Sequence, residues 1–224
     1  MSYIQIGVYL KEFFATNKKF FLNERDLQIE LILFLRGKRY EVHPEYHIPI
    51  SEILAYEWKI DKMLSVDLVV KDSECGYVPI ELKYNHKDKD IPLDRFGENL
   101  SGLFTNQAAQ NLGRYSFWKD IRRVEHLIGR FPQIKKGGYV MFITDDDSYQ
   151  NLTGVGCQYL MFAMNDDYAV GPTKLDWVDK SKRVVTKPEY PGFNIAKHYD
   201  IKWETPVTIP SNTVYNGLIL EVVR

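Results

Sequence analysis

Hydrophobic positions along the chain switch between helical and alternating spacing, and the switches mark out elements. After Asn23, a residue suited to capping, Glu24 and Asp26 occupy a first turn that favours negative charge and Gly37 can stop the helix, which predicts a helix over 24–36. Its apolar residues Leu27, Ile29, Leu31, Ile32, Leu33, Phe34 and Leu35 run nearly all round, predicting burial on most sides. Tyr40 to Ile50 is rich in strand formers but carries Pro44 and Pro49, so an irregular or bulged strand is expected. The runs "SVDLVV" and "YVPIELKY" are separated by "KDSECG", which suits a hairpin connection. Helical spacing returns between Thr105 and Ile128 through Ala108, Leu112, Phe117, Ile121, Val124 and Ile128, and Gly137 to Thr144 reads as a buried strand. The order is α, β, β, β, α, β. Beyond Asp145 the signal decays: "CQYLMFAM", "VTI" and "GLILEVV" each admit a strand, and 178–193 reads as loop.

Composition narrows the function classes. A chain of 224 residues, 45% hydrophobic, can bury a substantial core, and without repeats or a linker one compact unit is expected. Twenty-nine basic against thirty acidic residues exclude a polyelectrolyte that coats nucleic acid or membrane by bulk charge, while leaving room for a local basic groove. Cys75 and Cys157 make neither a disulfide framework nor a CxxC zinc motif, which fits a reducing compartment. No run approaches the roughly 20 apolar residues of a membrane span and the opening stretch lacks the layout of a signal peptide, so a soluble, cytoplasmic protein is expected. The five histidines, His43, His47, His86, His126 and His198, show no HxxxH or HExxH spacing and read as surface or packing residues. Serine-hydrolase elbows, P-loops and dinucleotide fingerprints are missing as well.

The chemistry-bearing positions are in the hairpin. Asp67 interrupts an apolar strand, and Glu81 and Lys83 project from one side of the next, with Ile80 and Leu82 on the other. Two carboxylates and an ammonium from adjacent strands can converge on one patch, where the acids repel unless a cation lies between them. Hard divalent ions such as Mg²⁺ bind through one or two carboxylates plus phosphate oxygens. Lys83 would then stand beside the metal-bound water. The bland alternative is an exposed strand end with a hydrogen-bonded turn acid. Asp145, Asp146 and Asp147 form another acid-rich strand end, better explained by a turn with a helix cap. "HKDKD" after Tyr84 and the basic residues of 119–136 suit phosphate contacts or a solvated helix face.

Together "NERDLQIEL", "VDLVV", "PIELKY", "NQAAQNLGRY" and "GGYVMFIT" resemble the PD-(D/E)xK, or restriction-endonuclease-like, nuclease superfamily over about residues 20–145. The resemblance implies an α/β fold: an αβββαβ core with a mixed central sheet flanked by helices, plus a C-terminal β-rich extension over about 146–224. It also implies Asp67 and Glu81 as ligands of Mg²⁺ or Mn²⁺, completed by the Leu82 carbonyl, with Lys83 as the third catalytic residue. Glu24 matches the helical acid, whereas Glu30, six residues on, faces away from it. On the second long helix Gln107, Gln110 and Arg114 share a stripe. Gln110 matches a catalytic glutamine, while Gln28, Gln107 and Arg114 are candidate substrate contacts; a solvated face of ordinary polar residues would explain them as well. Tyr115 follows Gln110 at five residues rather than the family's usual four, and Val66 replaces the proline that names the motif. The implied activity is metal-dependent hydrolysis of phosphodiester bonds, in DNA before other nucleic acids, and a homodimer is compatible with cutting both strands. Two rivals come from other classes: a nuclease-fold module that binds without cutting, and a glycosidase acid/base pair, against which Lys83 counts.

Overall fold

A computed structural model of the chain describes residues 3–53, 56–58, 61–74, 76–87, 94–95, 98–99, 110–178 and 187–224. Its elements are α1 (Tyr3–Thr16), α2 (Glu24–Gly37), β1 (Glu41–Pro49), β2 (Met63–Asp72), β3 (Gly76–Asn85), the paired β4 (Asp94–Arg95) and β5 (Glu98–Asn99), α3 (Gln110–Arg130) and β6 (Gly137–Thr144). Short pairs follow, β7 (Ala169–Val170) with β10 (Tyr199–Asp200) and β8 (Thr173–Leu175) with β9 (Phe193–Ile195), then β11 (Val207–Thr208) and β12 (Val214–Val223). Six strands form one mixed sheet in the order β1-β2-β3-β6-β12-β11, in which β3 and β6 run parallel and all other neighbours antiparallel.

Local chemistry accounts for the boundaries that position the site. Asn23 is extended, and its side chain accepts from the Asp26 amide at 3.0 Å, so α2 begins where the cap predicts. The β2–β3 hairpin closes on the pair Asp72↔Gly76. Gly76 has φ +72°, and a Cβ there would lie 2.1 Å from the Gln133 carbonyl oxygen, so this turn requires glycine. The expected order of helix, three strands, helix and strand is the order of α2, β1, β2, β3, α3 and β6.

The sheet carries a core on each face. Leu27, Leu31 and Leu35 of α2 and Ile6, Leu10, Phe13 and Phe14 of α1 pack with Leu68, Val70, Ile80, Leu82 and Met141. On the other face Phe117, Ile121, Val124 and Ile128 of α3 pack with Val69, Val140, Phe142 and Leu220. Side chains of the segment between β6 and β10, including Phe162, Trp177 and Phe193, join this second cluster and cover α3.

The structure adds to or departs from expectation at four places. Helix α2 is not buried on most sides: it packs on the sheet along one stripe, leaving Ile29 47% and Leu33 58% exposed. Helix α1 was not anticipated. The stretch 157–164 forms turns and a 3₁₀ helix at Leu160–Phe162 instead of a strand. The stretch 146–224 carries β7 to β12, and its last strand, β12, joins the core sheet by pairing with β6 along eight residues. Among the described residues no helix is long and apolar enough to cross a membrane.

Candidate functional site

The site forms where strand pairing lapses. The β2–β3 ladder ends at Leu68↔Ile80, and the β1–β2 ladder has rungs at Pro44↔Leu68 and Tyr46↔Val66 but none joining 45 to 67. The register is the same on both sides of the gap, so β1 is irregular without an inserted residue. Its irregularity is Glu45, held at φ +49°, a conformation uncommon for a side chain of this kind. Asp67 therefore sits where both neighbouring strands let go. Two other groups take over: Gln28 Nε2 of α2 donates to the Asp67 carbonyl at 2.8 Å, and Asp67 Oδ2 accepts from the Leu82 amide at 2.6 Å. An extended residue presents its N–H and C=O to the same neighbour, so the Leu82 carbonyl also faces this gap.

Three further side chains close around it. Glu81 is wholly buried, and among the described residues neither of its carboxylate oxygens has a hydrogen-bond partner; Arg123 Nη2 of α3 stands 3.5 Å from Oε1. Arg123 also donates to Asp120 Oδ1 at 3.1 Å and to the Ser65 carbonyl. Lys83 Nζ lies 3.3 Å from Glu24 Oε2 and 3.9 Å from Asp120 Oδ2, bridging the helices on the two faces of the sheet. Glu24 Oε2 accepts from the Tyr84 amide at 3.0 Å, fixing the α2 acid on β3.

Electrostatics follow from this crowding. Burial, then the Asp120 and Glu24 charges, push the Asp67 carboxyl up to about 6 against the opposing Leu82 hydrogen bond. Burial likewise raises Glu81 well above the carboxylate range, with Arg123 opposing and Asp67 and Asp120 reinforcing. Burial alone would lower the Lys83 ammonium, but Asp120, Glu24 and Asp67 outweigh it and its net shift is upward. Four acids, Glu24, Asp67, Glu81 and Asp120, crowd around two bases, Lys83 and Arg123, and the surplus of acid groups is what favours a proton on the Asp67–Glu81 pair.

A divalent cation would take the place of the proton shared by these acids, and the buried oxygens of Glu81 and Oδ2 of Asp120, which lack hydrogen-bond partners among the described residues, are the kind of donor it takes. Asp67 and Glu81 are the residues that could hold it, with the Leu82 carbonyl beside them. As the side chains stand, no group of three or more His, Cys, Asp or Glu residues among those described is arranged to hold a metal ion, and Arg123 lies among the acids instead.

The structure gathers Glu24, Asp67, Glu81, Leu82 and Lys83, and separates the other expected residues from them. Gln28 is present but spends its amide on the Asp67 carbonyl and on Glu45 Oε1 at 3.1 Å, which makes it a support for the site, not a substrate contact. Gln110 donates to Asp146 Oδ2 at 3.0 Å. It lies ten residues from Asp120, roughly 15 Å along the helix axis. Arg114 is 2% exposed and holds the carbonyls of Ser148 and Tyr149 at 2.7 and 3.1 Å, so it cannot meet a phosphate. Tyr115 is buried, accepting from Trp58 Nε1 and donating to the Pro191 carbonyl. Gln107 lies outside the described residues, as does Lys89.

Four of the basic residues expected at phosphates are paired with acids: Lys87 with Asp147, Lys119 with Asp61, Arg122 with Glu57 and Arg130 with Glu52. Asp146 caps the short 3₁₀ helix Asp147–Tyr149, as anticipated for the acid-rich strand end. Sequence reasoning missed Asp120 and Arg123. A signal existed: Asp120 falls three residues after Phe117 and four before Val124, inside the buried stripe of α3. Compared with protein-family models, curated proteins and solved structures, the chain matches none.

Proposed function

We propose that the chain is a divalent-metal-dependent phosphodiester hydrolase of restriction-endonuclease-like fold, acting on DNA. The observation that carries this reading is the 2.6 Å bond from the Leu82 amide to Asp67 Oδ2, which ties the β2 acid to the strand bearing Glu81 and Lys83. A cation bound by Asp67 and Glu81 would supply Lewis-acid polarisation of the scissile phosphate. The protein's own groups account for the rest. Gln28 fixes the Asp67 peptide and the Leu82 amide fixes one oxygen of its carboxylate, which positions the acid in advance of reaction. Lys83 remains an ammonium at neutral pH, so it orients the attacking water and offsets charge on the phosphate oxygens instead of removing a proton.

The test is incubation of plasmid and oligonucleotide DNA with the protein in Mg²⁺ or Mn²⁺, beside Glu81→Ala. Cleavage by the wild type that disappears in the variant and with a chelator is expected. Equal cleavage by the variant, or none by the wild type on any form of DNA, would overturn the proposal.

A second reading, a binding module that does not cut, is favoured by two observations. Arg123 already pairs with Glu81 and Asp120. An open groove of 520 Å³, lined mainly by aromatic and apolar side chains such as Tyr46, Val69, Tyr77 and Phe131, with Glu52 its one acid among the described residues and none of Glu24, Asp67, Glu81 and Asp120, runs between β1, β2 and the end of α3. Mn²⁺ titration separates the two readings, since a docking module has no need to hold the ion.

A further inference from the structure

Asp120 enters the gap from α3, independently of the two strands that carry the expected acids. Its side chain is 5% exposed; Oδ1 accepts from Arg123 at 3.1 Å, while Oδ2 has no hydrogen-bond partner among the described residues and lies 3.9 Å from Lys83 Nζ. Glu81 is in the same condition, wholly buried with both oxygens unbonded and Arg123 Nη2 3.5 Å away. One guanidinium thus spans an acid from β3 and an acid from α3, with its remaining grip on the Ser65 carbonyl of β2.

That arrangement serves the acids poorly. A guanidinium meets a carboxylate best through two parallel bonds, and Arg123 makes none to Glu81 that is short enough to be a hydrogen bond. Its Nε is itself buried without a hydrogen-bond partner among the described residues. Among the described residues three carboxyl oxygens, Oε1 and Oε2 of Glu81 and Oδ2 of Asp120, stay desolvated without a hydrogen-bond donor, a costly state for buried polar groups, and only Asp120 Oδ2 has a second cation, Lys83, within 3.9 Å. A compact hard cation accepts oxygens without the planar constraint of a guanidinium.

We infer that Asp120 is a third carboxylate of the cation site formed with Asp67 and Glu81, and that Arg123 holds the cation's place until an ion enters, so the three acids, not arranged around an ion as they stand, close on it only when Arg123 gives way. This rests on the proposed reading only in requiring that the site take a divalent ion. Arg123 is then a resident counter-charge that keeps the acids assembled in the empty protein, and binding exchanges it for the ion.

Calorimetric titration of the full chain with Mn²⁺ tests the role of Asp120. Asp120→Asn should bind at least ~10-fold more weakly than the wild type. Asp120→Cys should gain at least ~10-fold for Cd²⁺ relative to the wild type, because a thiolate selects soft ions, a change that a packing role could not produce. Arg123→Gln should melt lower without metal, and saturating Mn²⁺ should raise its Tm by more than it raises that of the wild type. If the wild type binds Mn²⁺ and Glu81→Gln abolishes binding, while Asp120→Asn binds normally and Asp120→Cys gains nothing for Cd²⁺, Asp120 is no ligand and a two-carboxylate site stands. A Tm gain in Arg123→Gln no larger than in the wild type refutes the place-holding role. Absence of Mn²⁺ binding by the wild type removes the proposed function and this inference together. Should Asp120→Asn fail to fold, the Cd²⁺ preference of Asp120→Cys decides.

Discussion

Gln28 Nε2 donates to the main-chain carbonyl of Asp67 at 2.8 Å, so an amide on α2 holds the peptide that neither neighbouring strand pairs. Buried carbonyls left without a donor are costly. Gln28→Ala should therefore lose about 1–3 kcal/mol of stability, read as a lower urea midpoint with unchanged slope. It should also weaken Mn²⁺ binding, since Asp67 loses one of its two anchors. A variant with wild-type stability would show that water replaces the amide without cost.

The raised Asp67 carboxyl sets a pH dependence. Its folded value of about 6 lies above the ordinary 3.8, so the folded protein keeps a proton that the unfolded chain releases. Stability from this group is full below pH ~4 and is lost as pH rises through 6, by up to ~3 kcal/mol. Glu81, also raised, acts in the same sense. Metal-free protein should have a higher urea midpoint near pH 4.5 than near pH 7.5 as far as these groups decide it, and Asp67→Asn should flatten the difference. Mn²⁺, which takes the proton's place, should stabilise the wild type more at the higher pH.

Lys83 stands between Glu24 and Asp120, and its charge persists at neutral pH. Lys83→Met should reduce metal-dependent cleavage by about 10²-fold or more. In the wild type, the pH–rate profile should lack an ascending limb from this amine. Such a limb in the wild type that vanishes in Lys83→Met would identify a proton-abstracting lysine and contradict the reading given to it.

Arg114 separates structural from chemical roles on α3. Its guanidinium is buried under the loop after β6, on two carbonyls and against the rings of Tyr149 and Tyr159. Arg114→Leu should cost about 2–4 kcal/mol by thermal or urea denaturation. Its Mn²⁺ affinity, measured while folded, should equal that of the wild type. Weakened ion binding at intact stability would return Arg114 to the site.

Much of this was legible because short-range chemistry wrote it. The Asn23 cap, the Gly76 turn and the alternation around Asp67 and Glu81 each act within a few residues, and they placed α2, the hairpin and three of the clustered charges. The rest depended on what packs against what. In α1, Ile4, Ile6, Val8 and Leu10 alternate as a strand would, whereas the buried set Ile6, Leu10, Phe13 and Phe14 follows helical spacing. Gln110 and Arg114 share a helix with Asp120, and only the crossing point of α3 over β3 decides which of them reaches Lys83. That crossing is tight at Gly138, where a Cβ would meet the Pro79 carbonyl oxygen at 2.6 Å and Val124 Cγ1 at 2.8 Å. No local pattern announces it.

The irregular β1 has a second effect, on self-association. It lies at one edge of the sheet, where unpaired backbone groups invite a strand from another molecule. Pro44 and Pro49 remove two donors from that edge, and Glu45, at φ +49°, breaks its extended line. The kink that frees Asp67 from pairing thus blunts the rim against cross-strand aggregation, and a pair of copies joined through continuous β1 edges is the assembly this chain disfavours most.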